Sequence, residues 1–360
     1  MSLHPTDHCS KLRVAVVGAG ISGLICAKML QEHGFQVKVF EKSWSVSGRA
    51  ATRRGEPQLS FDHGAQYFTV RDSVFALSVE KWGQLGIVAE WTGRIVDVNG
   101  PNVLPKTDQP VRYVGVPGMT AMARHLADGI PVQFETRITS LERTERGWTL
   151  TDAANETRGP FDYIVLSLPA PQTADLIRGH SLEVEVRAVP MTPCWAVMIA
   201  FDQRIELAWD GAFVNNSPLA WVARNSSKPG RDQSVDCWVL HASSSWSAAH
   251  QEDGPQLVQE ILRAEFAQLT GRILPSPMHI AAHRWLYSAT PLTLDRQALF
   301  DPLSGLVICG DWLAGGRVEG AFRSGVAAAD CLLQHIGQAQ LSYREPNRIG
   351  PESSETESTD

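Results

Sequence analysis

Apolar and polar positions along this 360-residue chain follow two textures. Near the start, Val14-Ala-Val-Val17 is a β-branched run without alternation, the pattern of a strand buried on both faces. An apolar helical pattern follows from Leu24 through Leu30 to Gly34, and Gln36 to Phe40 is a second strand. Arg71 to Gly86 carries Phe75, Val79 and Trp82 on one helical face, and short strands are predicted around Arg94 to Val98 and Val111 to Val114. Pro117 to Asp128 is a helix opened by proline and stopped at Gly129. Three strand-like runs, Val132 to Phe134, Ile138 to Arg143 and Trp148 to Thr151, lead to a buried strand, Tyr163 to Leu168, that ends at Pro169-Ala-Pro171.

Beyond this point the segments alternate and are rich in tryptophan. Cys194 to Asp202, Gly211 to Val214, Leu219 to Asn225, Asp236 to Ser243 and His279 to Tyr287 are predicted strands of a second sheet, with a helix at Pro255 to Thr270. Six of the eleven tryptophans lie between 195 and 285, so this region offers a packed core, flat surfaces for an aromatic ligand, or both. The first texture then returns: Leu306-Val-Ile-Cys-Gly-Asp311 is a strand ending in an acid, and Val318 to Ile336 a helix. After Gly337 the tail is polar and aperiodic and is read as disordered.

At 43% apolar and 20% charged the chain is globular, and its length calls for two cores, since single cores stop growing at about 250–300 residues. A net charge of −7 without a basic block argues against nucleic acid or an anionic membrane as partner. Met1 to Lys11 is polar and no apolar run approaches a membrane span, so the expectation is a cytoplasmic protein. The six cysteines form no C-x-x-C pair, which disfavours disulfide reductases.

The candidate chemistry begins between the first strand and helix, at Gly18-Ala-Gly20-Ile-Ser-Gly23. In this strand–turn–helix setting, Gly18 allows the tight turn, Gly20 a close approach to a pyrophosphate, and Gly23 close packing of helix on strand. Glu41, ending the second strand, stands where an acid accepts bonds from a ribose hydroxyl. The motif occurs once, so there is one dinucleotide domain, and NAD and FAD both remain open at this point. Arg49, beside Gly48, suits a pyrophosphate whose two charges a helix end of about half a charge does not balance. Asp311 at a strand end suits ribityl hydroxyls, and a helix starting near Glu319-Gly320-Ala321 would aim its amides at a flavin's N1/O2 edge.

Four segments together, Gly18–Gly23 with Glu41-Lys42, Ser47-Gly48-Arg49, Asp62-His-Gly-Ala-Gln66 and Cys309-Gly-Asp311-Trp312, resemble the FAD-binding elements of the amine-oxidase-like flavoprotein superfamily. More narrowly, the chain resembles the renalase family, its bacterial members especially. That match is carried by Asp62 to Thr69, Val114 to Met119, Leu219 to Asn225, Trp238 to Ser243, His283 to Tyr287 and Cys309 to Gly320, and it covers roughly Arg13 to Ile336. One departure is that the family's double glycine before the arginine is Ser47-Gly48 here.

The resemblance implies an α/β fold: a Rossmann-type FAD-binding domain with an inserted mixed-sheet substrate domain, in the amine-oxidase/p-hydroxybenzoate-hydroxylase-like topology. Residues 12–70, 112–175 and 295–337 would form the first domain, 71–111 and 176–294 the second, and 338–360 a disordered tail. It implies noncovalent FAD held by Gly18, Gly20, Ile21, Ser22 and Gly23, by Glu41, Lys42, Gly48 and Arg49, by Gly64, Ala65, Gln66 and Ile138, and by Asp311, Glu319, Gly320 and Ala321. The implied reaction oxidises off-pathway dihydronicotinamides to NAD(P)+, with dioxygen becoming hydrogen peroxide; the 2-dihydro isomer of NAD(P)H is the main expected substrate and the 6-dihydro isomer the second. Such a substrate becomes aromatic as it loses hydride, so it needs a flat slot and no strong base, and Trp285, Tyr67 and Tyr287 suit that slot. His241 shares a strand face with Cys237 and Val239, so it is either buried in the core or faces the ligand as a catalytic candidate, while Arg224 and Asn225 project to opposite faces and are expected as polar positioners of substrate. The alternative is a soluble flavin amine oxidase. No metal is expected, and the protein is expected to act as a monomer or weak oligomer.

Overall fold

A computed structural model describes residues 12–344 apart from 57–58, 108–109, 293 and 295. Arg13–Val17, buried along nearly its whole length, lies inside a six-stranded sheet, between Tyr163–Leu166 and Gln36–Phe40. These pairings are parallel, as are those that add Leu306–Ile308 and Val132–Gln133; only the edge strand Leu299–Asp301 runs antiparallel. Apolar residues on both faces of the central strand require a cover on each side. Helices Ile21–Glu32 and Arg317–Arg344 pack on one face, around Leu24, Leu30 and Leu332. On the other face Trp148, Leu150 and Phe161, from the antiparallel strands Ile138–Thr144, Gly147–Asp152 and Thr157–Phe161, close over Ala15 and Val17.

The tryptophan-rich segments form a seven-stranded sheet whose order is His279–Ala289, Thr192–Phe201, Asp236–Ala242, Leu219–Arg224, Gly211–Asn215, Ile95–Asn99 and Asn102–Pro105. Alternation sorts its side chains. Trp195, Val197, Trp238 and Leu240 meet Val258, Leu262 and Phe266 of helix Pro255–Thr270, whereas Met198, Ala200, Cys237 and Val239 meet Leu59 and Phe61. Those last two residues belong to a hairpin, Thr52–Gly55 with Leu59–Asp62, that sequence patterning does not reveal. Its strands have four residues each, too few for a period to show.

Most expected elements are present with ends moved by a residue or two, and two differ further. The helix expected from Pro117 starts at Thr120, because Val116-Pro117-Gly118 is a turn on which Gly115 and Met119 close. The last helix continues past Gly337 to Arg344, which corrects the reading of those residues as disordered; the tail from 345 lies outside the described residues. A helix already anchored by Phe322, Ala329 and Leu332 extends without further apolar periodicity, because each added residue only propagates it.

Candidate functional site: a two-part cavity at the strand ends

A cavity of about 1250 Å³ opens outside the carboxyl ends of the parallel strands and continues to the inner side of the seven-stranded sheet. A single drug-sized ligand takes roughly 300–1,000 Å³, so this space accommodates an extended cofactor and a second flat molecule.

One end is made of backbone. Gly18 has φ of +105°, its N–H donates to the Phe40 carbonyl (2.8 Å), and any side chain there would overlap the Ser167 carbonyl. Gly20, with φ of −78°, is the opposite case: nothing lies within 4 Å of where its Cβ would stand, because that point is open cavity. Ile21 and Ser22 line the same wall, while Gly23 sits behind it, where a side chain would overlap the Gly18 carbonyl. The first-turn amides of helix Ile21–Glu32 lack intrahelical partners and present a partial positive charge to this end. Glu41, buried beside Lys42, accepts from Ala19 N–H (2.8 Å) and Ser43 N–H (2.9 Å), one donor per oxygen, which leaves lone pairs for ribose hydroxyls.

Ser47 has φ of +117°, in the region that favours glycine, and its buried hydroxyl has no hydrogen-bond partner although the residue lines the cavity next to Gly20. An unsatisfied buried hydroxyl and an empty cradle at Gly20 fit a phosphate-bearing group. Arg49 and Asp311 also line the cavity, but they bind each other: Nη2 lies 2.5 Å from Oδ1, and Nη1 donates to the carbonyls of Ser288 (3.1 Å) and Tyr287 (3.3 Å). The guanidinium therefore faces the cofactor space as half of an ion pair, which sequence spacing does not show.

Gly64 and Ala65 run beside Arg49, with Ala65 N–H donating to the Arg49 carbonyl (2.8 Å), and Ile138 and Ala321 complete the wall. Two expected cofactor residues face elsewhere. Glu319 accepts from Arg71 N–H (2.6 Å) and Asp72 N–H (2.7 Å), and Gly320 packs on the Ala314 carbonyl. The helix begins at Arg317, so its cavity face carries Arg317, Val318 and Ala321.

The other end is made of side chains. Tyr67, Phe213 and Trp221 form a tilted cluster, with ring centroids 5.4 and 4.6 Å from Trp221. Across the cavity Trp285 packs against His63 (4.9 Å) and His283 (4.4 Å). Trp285 Nε1 (2.9 Å) and His241 Nε2 (3.0 Å) both donate to the His63 carbonyl, which fixes the His241 tautomer with its proton on Nε2. Burial, joined by His283 and Arg53, pushes His63 down to about 3, and burial takes His241 down to about 4, so both rings are neutral near pH 7. Sequence periodicity did place His241 with Cys237 and Val239 on the inner face; His63 and His283 were missed, although the two-residue period of His283, Trp285 and Tyr287 was there to read.

Arg224 and Asn225 do not reach this cavity, which corrects their expected role. Fully buried Arg224 lies over Trp238 on the outer face, donates to the Ile205 carbonyl (2.6 Å) and is flanked by Asp236 and Asp210. Asn225 braces the loop from behind: it donates to the Ser60 carbonyl (2.9 Å) and accepts from Asp62 N–H (3.2 Å) and Lys228 (3.1 Å). Gln66 likewise turns its amide inward, to the Asp62 carbonyl and Lys228. Burial alone would raise the Asp62 carboxyl, but Lys228 (3.1 Å) and Arg231 (2.6 Å) outweigh it and hold it at about 2. Among the described residues no cluster suits a metal ion, and no helix is long and apolar enough to cross a membrane.

Fold and site define a flavin-dependent oxidoreductase of the two-sheet type, and the sequence comparison agrees. Residues 99–333 match the family described as flavin containing amine oxidoreductase, and residues 16–78 match the NAD(P)-binding Rossmann-like domain. The chain belongs to the flavin containing amine oxidoreductase family, its cofactor is FAD, and it is an FAD-dependent oxidoreductase. Within that class it is similar to renalase of Mus musculus, 22% identical over 90% of this chain and 99% of that protein. Putrescine oxidase has a similar fold: a triple mutant superposes with a TM-score of 0.70 at 14% identity, over 90% of this chain and 99% of that one, and the wild type bound to putrescine with 0.67 at 14% identity and the same coverage.

Bound in this cavity, FAD supplies a two-electron acceptor. The chain would supply the rest: backbone amides and Ser47 for the phosphates, Glu41 for the ribose, the Arg49–Asp311 pair beside the strand end, and an aromatic wall of neutral side chains toward the reacting ring.

Proposed function

We propose that the protein oxidises non-canonical dihydronicotinamides, the 2-dihydro and 6-dihydro isomers of NAD(P)H, to NAD(P)+. The substrate gives a hydride to the flavin, and dioxygen with a proton takes up the two electrons as hydrogen peroxide, so each turnover converts one dihydropyridine and one O2 to one NAD(P)+ and one H2O2. In this reading residues 12–70, 112–175 and 295–337 serve the cofactor, and 71–111 with 176–294 serve the substrate.

One observation carries it: among the described residues the aromatic end holds no carboxylate. The acids lining the cavity are Glu41, Asp175 and Asp311, none of which belongs to the cluster of Tyr67, Phe213, Trp221, His241 and Trp285. Glu41 is held by backbone amides, Asp311 by Arg49, and Asp175 by Arg178 and Arg187. An amine arrives as a cation and would meet only neutral histidines and arginines, whereas an uncharged dihydropyridine needs flat walls and loses nothing to desolvation of a charge. The likeness to renalase over 90% of the chain points the same way; the likeness to putrescine oxidase is one of fold.

Anaerobic mixing of the holoenzyme with 2-dihydroNAD, 6-dihydroNAD, ordinary 4-dihydroNADH and a panel of amines tests the reading. Rapid flavin bleaching by a 2- or 6-dihydro isomer is expected. Bleaching by an amine and by neither isomer would establish the amine-oxidase alternative.

A further inference from the structure

The hairpin at the mouth of the cavity carries positive charge that the flavin site does not use. In its register Arg53 stands opposite Phe61, so Arg53, Phe61 and, two residues on, His63 share one face. That face lies along the strand His279–Ala289: Phe61 stacks on His279 (5.5 Å, 19°) and His63 meets the edge of His283 (4.9 Å). Trp285, the wall of the aromatic slot, follows His283 on the same strand face, a step of about 7 Å. A route therefore leads outward from Trp285, past His283, to Arg53.

Arg53 and its neighbour Arg54 are exposed and line the cavity mouth, and among the described residues neither side chain has a hydrogen bond or an acidic partner. Other cationic groups on this wall are engaged: Arg49 on Asp311, and Arg284 on the Gln251 carbonyl and over Trp195. His63, His279 and His283 are all depressed by burial and by the charge of Arg53 itself, so the surface below Arg53 carries neither a carboxylate nor a competing cation near pH 7. In a chain of net charge −7, two adjacent unpaired arginines at the mouth of the main cavity call for an anion.

We infer that Arg53 and Arg54 form a phosphate-binding lip that holds the pyrophosphate of a nicotinamide dinucleotide while its ring lies against Trp285. This rests on the dihydronicotinamide reading and deepens it: the enzyme selects the dinucleotide over the nucleoside, and does so through a part of the substrate that does not react. Binding of that kind is equal in ground state and transition state, so it lowers the half-saturating concentration and leaves the limiting rate alone.

The test compares anaerobic flavin bleaching by the 2-dihydro forms of NAD, nicotinamide mononucleotide and nicotinamide riboside. Half-saturation is expected to rise at least tenfold from dinucleotide to riboside, about the loss of one charge-assisted contact, with similar limiting rates. Arg53→Ala and Arg54→Ala should each raise it severalfold for the dinucleotide and leave the riboside unchanged, and Arg53→Lys should restore part of the loss. Added salt should weaken the dinucleotide only. Equal half-saturation for riboside and dinucleotide in the wild type overturns the lip and spares the substrate reading; so does an Arg53→Ala effect that is the same for both. Bleaching by no 2-dihydro compound and by no 6-dihydro isomer overturns both readings. Should a variant fold poorly, as its flavin content would report, the wild-type series with salt decides alone.

Discussion

The two ends of the cavity reach similar precision by opposite means. The nucleotide end is backbone, supplied mostly by residues 17–49 and shaped by glycines that let one chain segment touch another. The aromatic end is side chain, gathered from Tyr67, Phe213, Trp221, His241 and Trp285, residues up to 218 apart in sequence, the separation of Tyr67 and Trp285. Local geometry makes the first end intolerant of an added atom at Gly18 and Gly23. The second depends on whatever holds the hairpin Thr52–Asp62 against the seven-stranded sheet, and the charged member of that contact is the buried cluster of Asp62, Lys228 and Arg231.

The most severe break is expected at Gly18. Gly18→Ala adds an atom into the Ser167 carbonyl and demands a positive φ, a strain of about 1–3 kcal/mol before the overlap is counted, so it should yield little folded, flavin-free protein. Gly20→Ala, two residues on, has room for its methyl and an ordinary φ. It should fold like the wild type and lose flavin, because the methyl occupies the place of a phosphate. Flavin absorbance per chain and thermal unfolding of the apoprotein separate the two, and equal behaviour of both variants would dissolve the distinction between a fold-making and a ligand-facing glycine.

That distinction also explains how much of the molecule could be read in advance. The Gly18–Gly23 turn, its flanking strands and Glu41 are contiguous, and each imposes a conformation on the next, so their geometry is written in their spacing. The shared face of Cys237, Val239 and His241 is legible because a seven-residue strand shows its period. Arg224 was misread since parity fixes two faces but not which one meets the ligand, and the face was decided by helix Pro255–Thr270 packing on Trp238. The Arg49–Asp311 pair joins residues 262 apart, and no local pattern encodes that contact. Lys228 drew no attention because a lone lysine in sequence reads as a solvated cation.

A strong effect on the second end is expected from Lys228→Met. Removing one partner of a buried ion pair costs about 3–5 kcal/mol, although Arg231 remains on Asp62 and should hold the figure toward the lower limit. The pH dependence has a definite sign. Asp62 sits at about 2 in the fold against 3.8 as its ordinary value, so its contribution is fully present above pH 3.8 and is lost as pH falls through 2. With Lys228 gone the carboxyl rises, and the acid limb of the stability curve should move to higher pH. Urea unfolding between pH 2.5 and 7 measures both effects. Flavin binding by the variant at pH 7 should persist, since the nucleotide end does not touch the cluster; loss of flavin in step with stability would mean that the two ends are one unit.

The finest probe of the contrast is Ser47, whose side chain stands beside the backbone of Gly20 at the nucleotide end. Its φ of +117° costs about 1–3 kcal/mol, and its buried hydroxyl finds no partner in the protein. Ser47→Gly relieves that strain and loses roughly 0.5–1 kcal/mol to the freer unfolded chain, so the apoprotein should gain about 1 kcal/mol in stability. If the hydroxyl serves the cofactor phosphates, the same substitution should weaken flavin binding by about tenfold, one hydrogen bond of roughly 1.4 kcal/mol. Opposite signs for apoprotein stability and flavin affinity are therefore the expected result, read from thermal unfolding of the apoprotein and from flavin titration. If both rise together, Ser47 is mere strain and the nucleotide end is backbone alone; if they diverge, even the end built from glycines depends on one side chain held in a glycine's conformation.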